Sequence, residues 1–332
     1  MKRLQKVINM AALMIGMLAM SVVVAQAEVI LHAASQFDEN HPYTQSMMKF
    51  EELVNKYQSV EKVKVVYHLN SELGNEPDYF RAISRGEGVD IAVVSPGHTA
   101  KRVPLSTALE IPLLFRDIEH RDLALNSGIF EDLEQQFIKR AKARVLGYAG
   151  GGIRSLITNR SVDTMEKLKD LKIRVQGAPV WSKLFLGLET RPSVLAYNEV
   201  YSAIQTGVVE GLENDPLGFS IKHFYEVAPN FTLTQHQVTV RPIFISEKAF
   251  QSLPPEVQKA ALKAGREAGE FGTALEAKNG TIALKKLADQ KLANVMPFKE
   301  MDALRAQAMP ILEEYAKSIG AMEILKAVQD MK

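Results

Sequence analysis

The sequence predicts an α/β protein whose sheet is mostly parallel and doubly wound. Three short strands alternate with two amphipathic helical segments over residues 29–94, which is the order of a βαβαβ unit. The third strand, residues 89–94, is apolar apart from Asp90, as expected for a strand buried in a parallel sheet. With 332 residues and 46% hydrophobic content, the chain can form one large or two medium-sized domains.

The first unit is predicted element by element from its apolar spacing. Apolar residues alternate over residues 29–33, which is typical of a strand, and His41 and Pro42 then mark the start of a helix. Residues 63–69 predict the second strand, and a short helix follows that ends at Gly86.

Three consecutive glycines at residues 150–152 follow a strand predicted over residues 144–149. They lack the Gly-x-Gly-x-x-Gly or Gly-Lys-Ser/Thr spacing of a phosphate-binding loop, so a nucleotide site is not predicted. Glycine tolerates the backbone angles that a hinge requires, so we predict a hinge here. Before it, one charged amphipathic helix is predicted from an apolar turn at residues 109–115 to about Lys142.

Two strand, loop and helix units are packed into residues 171–216. Their strands are predicted at residues 172–176 and 191–195, and Asn198 is predicted to cap the second helix. A third strand at residues 212–214 ends at an Asp-Pro turn. Because ligands of open α/β sheets bind outside the carboxyl ends of the strands, we expect a site at this edge.

The last third of the chain predicts crossing strands and one long helix. An alternating segment at residues 231–240 runs into an apolar strand at residues 241–246, which we interpret as a second crossing between domains. From Pro255 to about Leu292 a helical pattern continues without proline, far beyond the usual length of a globular helix.

Residues 1–27 are predicted to be a cleaved secretory signal peptide. They contain three basic residues, an apolar run at residues 10–24 and a small-x-small site at residues 25–27. The alternative is an N-terminal anchor helix, but the apolar run is short for a membrane span. No cysteine stands in a lipobox position, so we expect the mature protein to be free in the periplasm.

Composition excludes several classes of function. The chain has a formal charge of +1, and removal of the three basic residues of the signal peptide leaves −2, which argues against a nucleic-acid partner. The absence of cysteine excludes thiol nucleophiles, thiolate metal sites and redox chemistry. The seven histidines are scattered singly, without a hydrolase elbow or metal motif, so we predict no cofactor and no enzyme.

Two motifs carry a resemblance to a known family. L-K-I-R-V-Q at residues 171–176 and Y-N-E-V-Y-S-A-I-Q-T-G-V-V-E-G-L-E-N at residues 197–214 resemble the DctP-type solute-binding proteins of tripartite ATP-independent periplasmic (TRAP) transporters. The resemblance implies a monomer with two lobes, crossing strands and a long helix that spans both lobes. It also implies delivery of a small organic acid to membrane permease subunits. The implied lobe I is 28–151 plus 240–279, and lobe II is 152–239 plus 280–332.

Arg174 is the main candidate ligand-binding residue. The planar guanidinium of a strand-borne arginine can bind both oxygens of a carboxylate, and the alternative is a structural arginine paired with Asp or Glu. The resemblance assigns Arg174 to the ligand carboxylate. It assigns further contact positions to Arg154, Asn214, Tyr197, Glu76, Ser95 and Gln36. Gln36 and Ser95 could equally be turn residues.

Polar candidates in the first lobe favour a ligand with hydroxyl groups. Besides Gln36, Glu76 and Ser95, this lobe offers Ser35 and His98. We therefore expect a sugar acid such as a uronate or aldonate. The alternatives are a four-carbon dicarboxylate or another small organic acid, and, in a different class, a periplasmic enzyme that acts on a carboxylated sugar.

Overall fold

The structure is a computed structural model that describes residues 28–331 as two mixed sheets flanked by helices. The predicted signal peptide, residues 1–27, lies outside the described residues. The strands are β1 Glu28–Ala34, β2 Lys62–His68, β3 Ile91–Val93, β4 Ala143–Ala149, β5 Ile153–Thr158, β6 Lys172–Val175, β7 Arg191–Val194, β8 Gly211–Asn214, β9 Asn230–Val238, β10 Arg241–Ser246 and β11 Asn294–Pro297. The first sheet has the order β2-β1-β3-β10-β4, and the second has the order β11-β9-β5-β8-β6-β7.

Helices cover both sheets. They are α1 Pro42–Tyr57, α2 Glu76–Arg85, α3 Pro96–Thr99, α4 Ile118–Asn126, α5 Glu131–Gln136, α6 Met165–Leu168, α7 Pro179–Gly187, α8 Val200–Gln205, α9 Pro216–Ile221, α10 Glu247–Ser252, α11 Pro255–Asp289, α12 Met301–Ser318 and α13 Met322–Gln329. Helix α1 begins as the sequence predicts, because Pro42 occupies the first turn and the side chain of His41 accepts a hydrogen bond from the Tyr43 amide at 3.2 Å.

The pairing of strands shows where the chain changes lobes. Within each sheet, the strands joined by helical crossovers pair in parallel, as β1 does with β2 and β3, and β6 with β7 and β8. Every antiparallel pair involves β10 or β5. These two strands enter their sheets from the opposite lobe, so they run against their neighbours. We call the elements around the first sheet the first lobe and those around the second sheet the second lobe.

Two backbone crossings and one helix join the lobes. The chain leaves the first sheet at Ala149 and enters the second at Ile153, and Gly150 between them has a left-handed φ of +95°. Gly151 lies directly against α11, since a Cβ atom there would be 2.2 Å from the carbonyl oxygen of Thr273. Helix α11, with 35 residues, packs on α1 and β4 in the first lobe and on α9 in the second. This confirms the long helix that the sequence predicts.

Two local predictions are wrong. The single helix predicted up to Lys142 is divided into α4 and α5, because Gly128 adopts a φ of +87° between them and interrupts the helical backbone. A π-helical turn at Phe137–Ala141 continues α5. Asn198 does not cap α8, since a 3₁₀ turn at Tyr197–Glu199 precedes that helix and Glu199 occupies the N-cap position.

Candidate ligand-binding site

A cavity of about 330 Å³ lies between the two lobes. Its size is typical of small-molecule sites. The first lobe contributes the loop after β1, the start of α2 and the first residue of β10, while the second contributes the ends of β6, β7 and β8. The polar and aromatic lining residues are Gln36, Phe37, His41, Tyr43, Asn75, Glu76, His98, Arg154, Arg174, Gln176, Tyr197, Asn214, Asp215, Arg241 and Glu276. The predicted strand-end edge is thus one wall of an interlobe cavity.

Arg174, on β6, is a buried cation whose hydrogen bonds go to a backbone carbonyl. The residue is only 5% exposed. Its Nε and Nη2 atoms donate hydrogen bonds to the carbonyl oxygen of Leu195 at 3.0 and 2.9 Å. Its Nη1 atom makes no hydrogen bond to any residue within 28–331, and no carboxylate there forms an ion pair with it. Burial lowers the pKa of Arg174 to about 10, with Glu213 opposing and Arg154 reinforcing the shift.

Arg154, on β5, is by contrast held in a buried ion pair. Its Nε and Nη2 atoms donate to the two carboxylate oxygens of Glu213 at 2.5 and 2.9 Å, and Nη1 donates to Oδ1 of Asn214 at 2.8 Å. Burial alone would raise the pKa of Glu213, but Arg154 and His236 hold it down at about 2. The structural arginine considered as the alternative for Arg174 is therefore found at Arg154.

Asn214 and Tyr197 form one connected group on the second-lobe wall. Asn214 accepts from Arg154 and donates from Nδ2 to the hydroxyl oxygen of Tyr197 at 2.9 Å. The ring of Tyr197 lies 5.7 Å from the guanidinium carbon of Arg174. In the hydrogen bond from Asn214 the hydroxyl of Tyr197 is the acceptor, so its own O–H can donate a hydrogen bond into the cavity.

Glu76, at the start of α2, is the acidic group of the first-lobe wall. Its Oε2 atom accepts from the Ser95 amide at 2.6 Å, His98 Nδ1 at 3.0 Å and Arg241 Nη1 at 3.2 Å, and its Oε1 atom accepts from Gln36 Nε2 at 3.0 Å. Burial alone would raise the pKa of Glu76, but Arg241 and His98 hold it at about 2. The carboxylate is therefore ionised and can only accept hydrogen bonds from a ligand.

Two predicted polar residues do not line the cavity. Ser95 is buried, and its hydroxyl bonds to the carboxylate of Glu110, so only its backbone amide acts on the site, through Glu76. Ser35 is turned toward its own loop, where its hydroxyl oxygen accepts from the hydroxyl of Thr44 at 3.0 Å. The other predicted contact residues, Gln36, Glu76, Arg154, Arg174, Tyr197 and Asn214, do line it.

The sequence did not identify a group of residues on the hinge side of the cavity. The carboxylate of Glu276, on α11, accepts from the Tyr43 hydroxyl at 3.0 Å and from the Gly151 amide at 2.8 Å. Burial and the nearby carboxylate of Asp215 raise the pKa of Glu276 to about 7. The arginine of the predicted crossing strand, Arg241, was a possible signal for this wall, whereas Glu276 resembles the exposed glutamates of the same helix.

A two-lobed α/β fold with an interlobe cavity, and in it a buried cation that pairs with no carboxylate of residues 28–331, defines a solute-binding protein of the periplasmic-binding-protein-like class. The family model described as "Bacterial extracellular solute-binding protein, family 7", or DctP, matches residues 33–318. The chain belongs to this family, whose members are extracytoplasmic receptors that bind small acids and work with TRAP-type permeases, and are not enzymes. The family predicted from the two sequence motifs is confirmed.

Known relatives match nearly the whole chain. A solute-binding protein of Sulfitobacter sp. NAS-14.1 is 42% identical over 306 residues, which cover 92% of each chain. A crystal structure of a TRAP periplasmic solute-binding protein from Sulfitobacter sp. NAS-14.1, with bound α-D-taluronate, is 41% identical, has a TM-score of 0.87 and matches over 91% of this chain and 97% of that one. A TRAP protein from Citrobacter koseri, with bound D-glucuronate, is 25% identical with a TM-score of 0.83, over 91% of this chain and 99% of that one.

Across residues 28–331, none of the helices is both long enough and apolar enough to cross a membrane.

Proposed function

We propose that this protein is a periplasmic receptor for a sugar acid, such as a uronate or aldonate, which it binds between its lobes and delivers to a TRAP-type permease. The observation that carries the proposal is Arg174, a buried arginine that has no acidic partner within the described residues and faces the interlobe cavity. We further propose that the protein acts as a monomer without a nucleic-acid partner, and that its lobes divide at residues 151/152, 239/240 and 279/280.

A ligand carboxylate would supply the acidic partner that Arg174 lacks within residues 28–331. The guanidinium is fixed by two hydrogen bonds to the Leu195 carbonyl, so its free Nη1 edge is held in place before ligand arrives. Charge-assisted hydrogen bonds contribute about 1.5–3 kcal/mol each, and more of that is realised when the groups are already oriented and shielded from water. Arg154 cannot take this role as its main function, because Glu213 already neutralises its charge.

The opposite wall favours hydroxyl groups over a second carboxylate. Glu76 is ionised and can only accept, so it attracts hydroxyl donors. Gln36 and Tyr197 add a donor and a donor-acceptor group to the same cavity. A polyhydroxylated acid with one carboxylate matches this division of the cavity better than a four-carbon dicarboxylate does. The uronates bound by the Sulfitobacter and Citrobacter proteins support the same ligand class.

A thermal-shift screen of residues 28–332 tests the ligand class. The panel contains uronates, aldonates, four-carbon dicarboxylates and the parent neutral sugars, each at high concentration. A ligand at 100 times its Kd stabilises the folded state by about 2.7 kcal/mol, which raises Tm by several degrees. We expect shifts with uronates or aldonates and none with neutral sugars. Shifts confined to the dicarboxylates would overturn the sugar-acid proposal and leave the receptor family unaffected.

Mass spectrometry of the periplasmic fraction tests the location. We expect a mature protein that begins at Glu28, because the small-x-small site ends at Ala27. Recovery of the intact chain from the cytoplasm would contradict the proposed export.

A further inference from the structure

One contact between the lobes joins two rings that line the ligand cavity to a lysine that does not. Phe37 follows β1 in the first lobe, and Tyr197 precedes α8 in the second, yet their ring centroids lie 6.5 Å apart in an edge-on arrangement. Lys222, which follows α9 in the second lobe, places its Nζ atom 5.8 Å from the centroid of Phe37 and 5.6 Å from that of Tyr197. Both distances are within cation–π range.

The ammonium group of Lys222 has these rings as its partners. Within residues 28–331 no carboxylate forms an ion pair with it. Phe37 and Tyr197 line the cavity, whereas Lys222 does not, so the lysine lies over the two rings without being part of the ligand surface. It can therefore act on a ligand through the rings and through its charge, but not by direct contact.

The first-lobe side of this contact is an uncharged pair of stacked rings. Phe37 stacks on His41 with ring centroids 3.6 Å apart. Burial, followed by the charges of Arg241 and Lys222, lowers the pKa of His41 to about 3, so the imidazole is uncharged at neutral pH and does not repel the ammonium group. The ammonium group of Lys222 therefore meets the electron-rich ring of Phe37 with no positive charge on the imidazole stacked behind it.

The second-lobe side is connected to the ligand site. The hydroxyl of Tyr197 accepts a hydrogen bond from Asn214, and the same ring lies 5.7 Å from the guanidinium carbon of Arg174. A ligand that fixes Arg174 and Asn214 also fixes the ring that meets Phe37 and Lys222. The interlobe contact and the ligand site therefore share one side chain.

We propose that Phe37, Tyr197 and Lys222 form an interlobe latch in which Lys222 is a positioning residue that holds the lobes together over the bound ligand and slows its release. The latch rests on the proposed receptor function. Opening of the lobes separates Phe37 from the other two residues, so the cation–π contact across the cleft exists only in the closed form. Its loss favours opening and raises the dissociation rate more than it changes the association rate.

Two measurements on the full mature protein test the latch. The chain has no cysteine, so cysteines introduced at exposed Lys64 in the first lobe and Lys183 in the second can be spin-labelled without interference. Electron–electron double resonance then reports the interlobe distance without ligand. Stopped-flow fluorescence measures the dissociation rate of D-taluronate from the unlabelled variants.

We expect Lys222→Met to raise the dissociation rate about three- to tenfold and to reduce the short-distance population of ligand-free protein. Lys222→Arg, which keeps the cation over the rings, should restore both. The matched control is Lys263→Met, because Lys263 lies 3.9 Å from the ring centroid of Tyr57 in a contact between α11 and α1 that does not bridge the cleft. That variant should change neither measurement.

The latch is overturned if Lys222→Met changes neither the distance distribution nor the dissociation rate, or if Lys222→Arg fails to restore what Lys222→Met loses. If wild-type protein does not bind D-taluronate, the proposed ligand must be reconsidered, and the distance distributions of the ligand-free variants then decide the latch by themselves.

Discussion

Replacement of Arg174 tests whether this arginine binds the ligand or only stabilises the fold. Arg174→Ala removes the buried guanidinium, and Arg174→Lys keeps a positive charge but loses the planar group that can hold a carboxylate and the Leu195 carbonyl together. Arg191→Ala is the matched control, because Arg191 lies on the adjacent strand β7 with its side chain 65% exposed and paired with Asp170.

The structure sets the expected magnitudes. With Arg174→Ala, the ligand carboxylate is left buried without its cation, which costs about 2–5 kcal/mol, or about 30- to 5,000-fold in Kd. Arg174→Lys should weaken binding less, by about tenfold. Ligand-free stability should change little, because the loss of two hydrogen bonds to Leu195, about 0.5–1.5 kcal/mol each, is offset by removal of a buried cation that has no acidic partner in the described chain.

Isothermal titration calorimetry with D-taluronate, together with thermal melts of ligand-free protein, measures both quantities. We expect wild type and Arg191→Ala to bind alike, Arg174→Lys to bind more weakly and Arg174→Ala to bind most weakly, all with similar melting temperatures. A ligand-free Arg174→Ala that melts far below wild type but keeps its affinity would refute the reasoning and make Arg174 a structural residue.

Three further predictions concern the rest of the site. Arg154→Ala should lower the ligand-free melting temperature by several degrees, because it leaves the buried carboxylate of Glu213 without its arginine partner, at a cost of about 3–5 kcal/mol. An unchanged melting temperature would contradict a stabilising ion pair. The pKa of Glu276 is raised from 4.5 to about 7, so its contribution to stability is complete below pH 4.5 and is lost as pH rises through 7. As pH rises from 5 to 8, the melting temperature of wild type should therefore fall relative to that of Glu276→Gln, because glutamine does not titrate. A difference in melting temperature that stays constant over this pH range would refute the prediction. Incubation of D-taluronate with the protein, followed by NMR, should return the sugar acid unchanged, and conversion faster than in buffer would favour an enzyme.

Much of the fold could be predicted because its signals are local. Alternating apolar residues give β1, and a proline after a capping histidine gives the start of α1. A pattern without proline from residue 255 gives α11. The break between α4 and α5 was missed because a glycine within a helical pattern is often tolerated, and only the packed structure forces Gly128 into the left-handed region.

The site could be predicted only in part, because its electrostatics depend on contacts distant in sequence. Arg154 and Arg174 both lie on strands of the second sheet, and what separates them is that Glu213 reaches the first and not the second. Likewise, Glu276 is one glutamate among several on α11, and its role follows from the Tyr43 hydroxyl and the Gly151 amide that lie against it.

A crystal structure of the protein grown with D-taluronate tests the central claim most directly. We predict that the sugar acid occupies the interlobe cavity with a carboxylate oxygen about 3 Å from Arg174 Nη1 and with hydroxyl groups facing Glu76. A carboxylate bound at another cation, with Arg174 still bonded only to Leu195, would contradict the account.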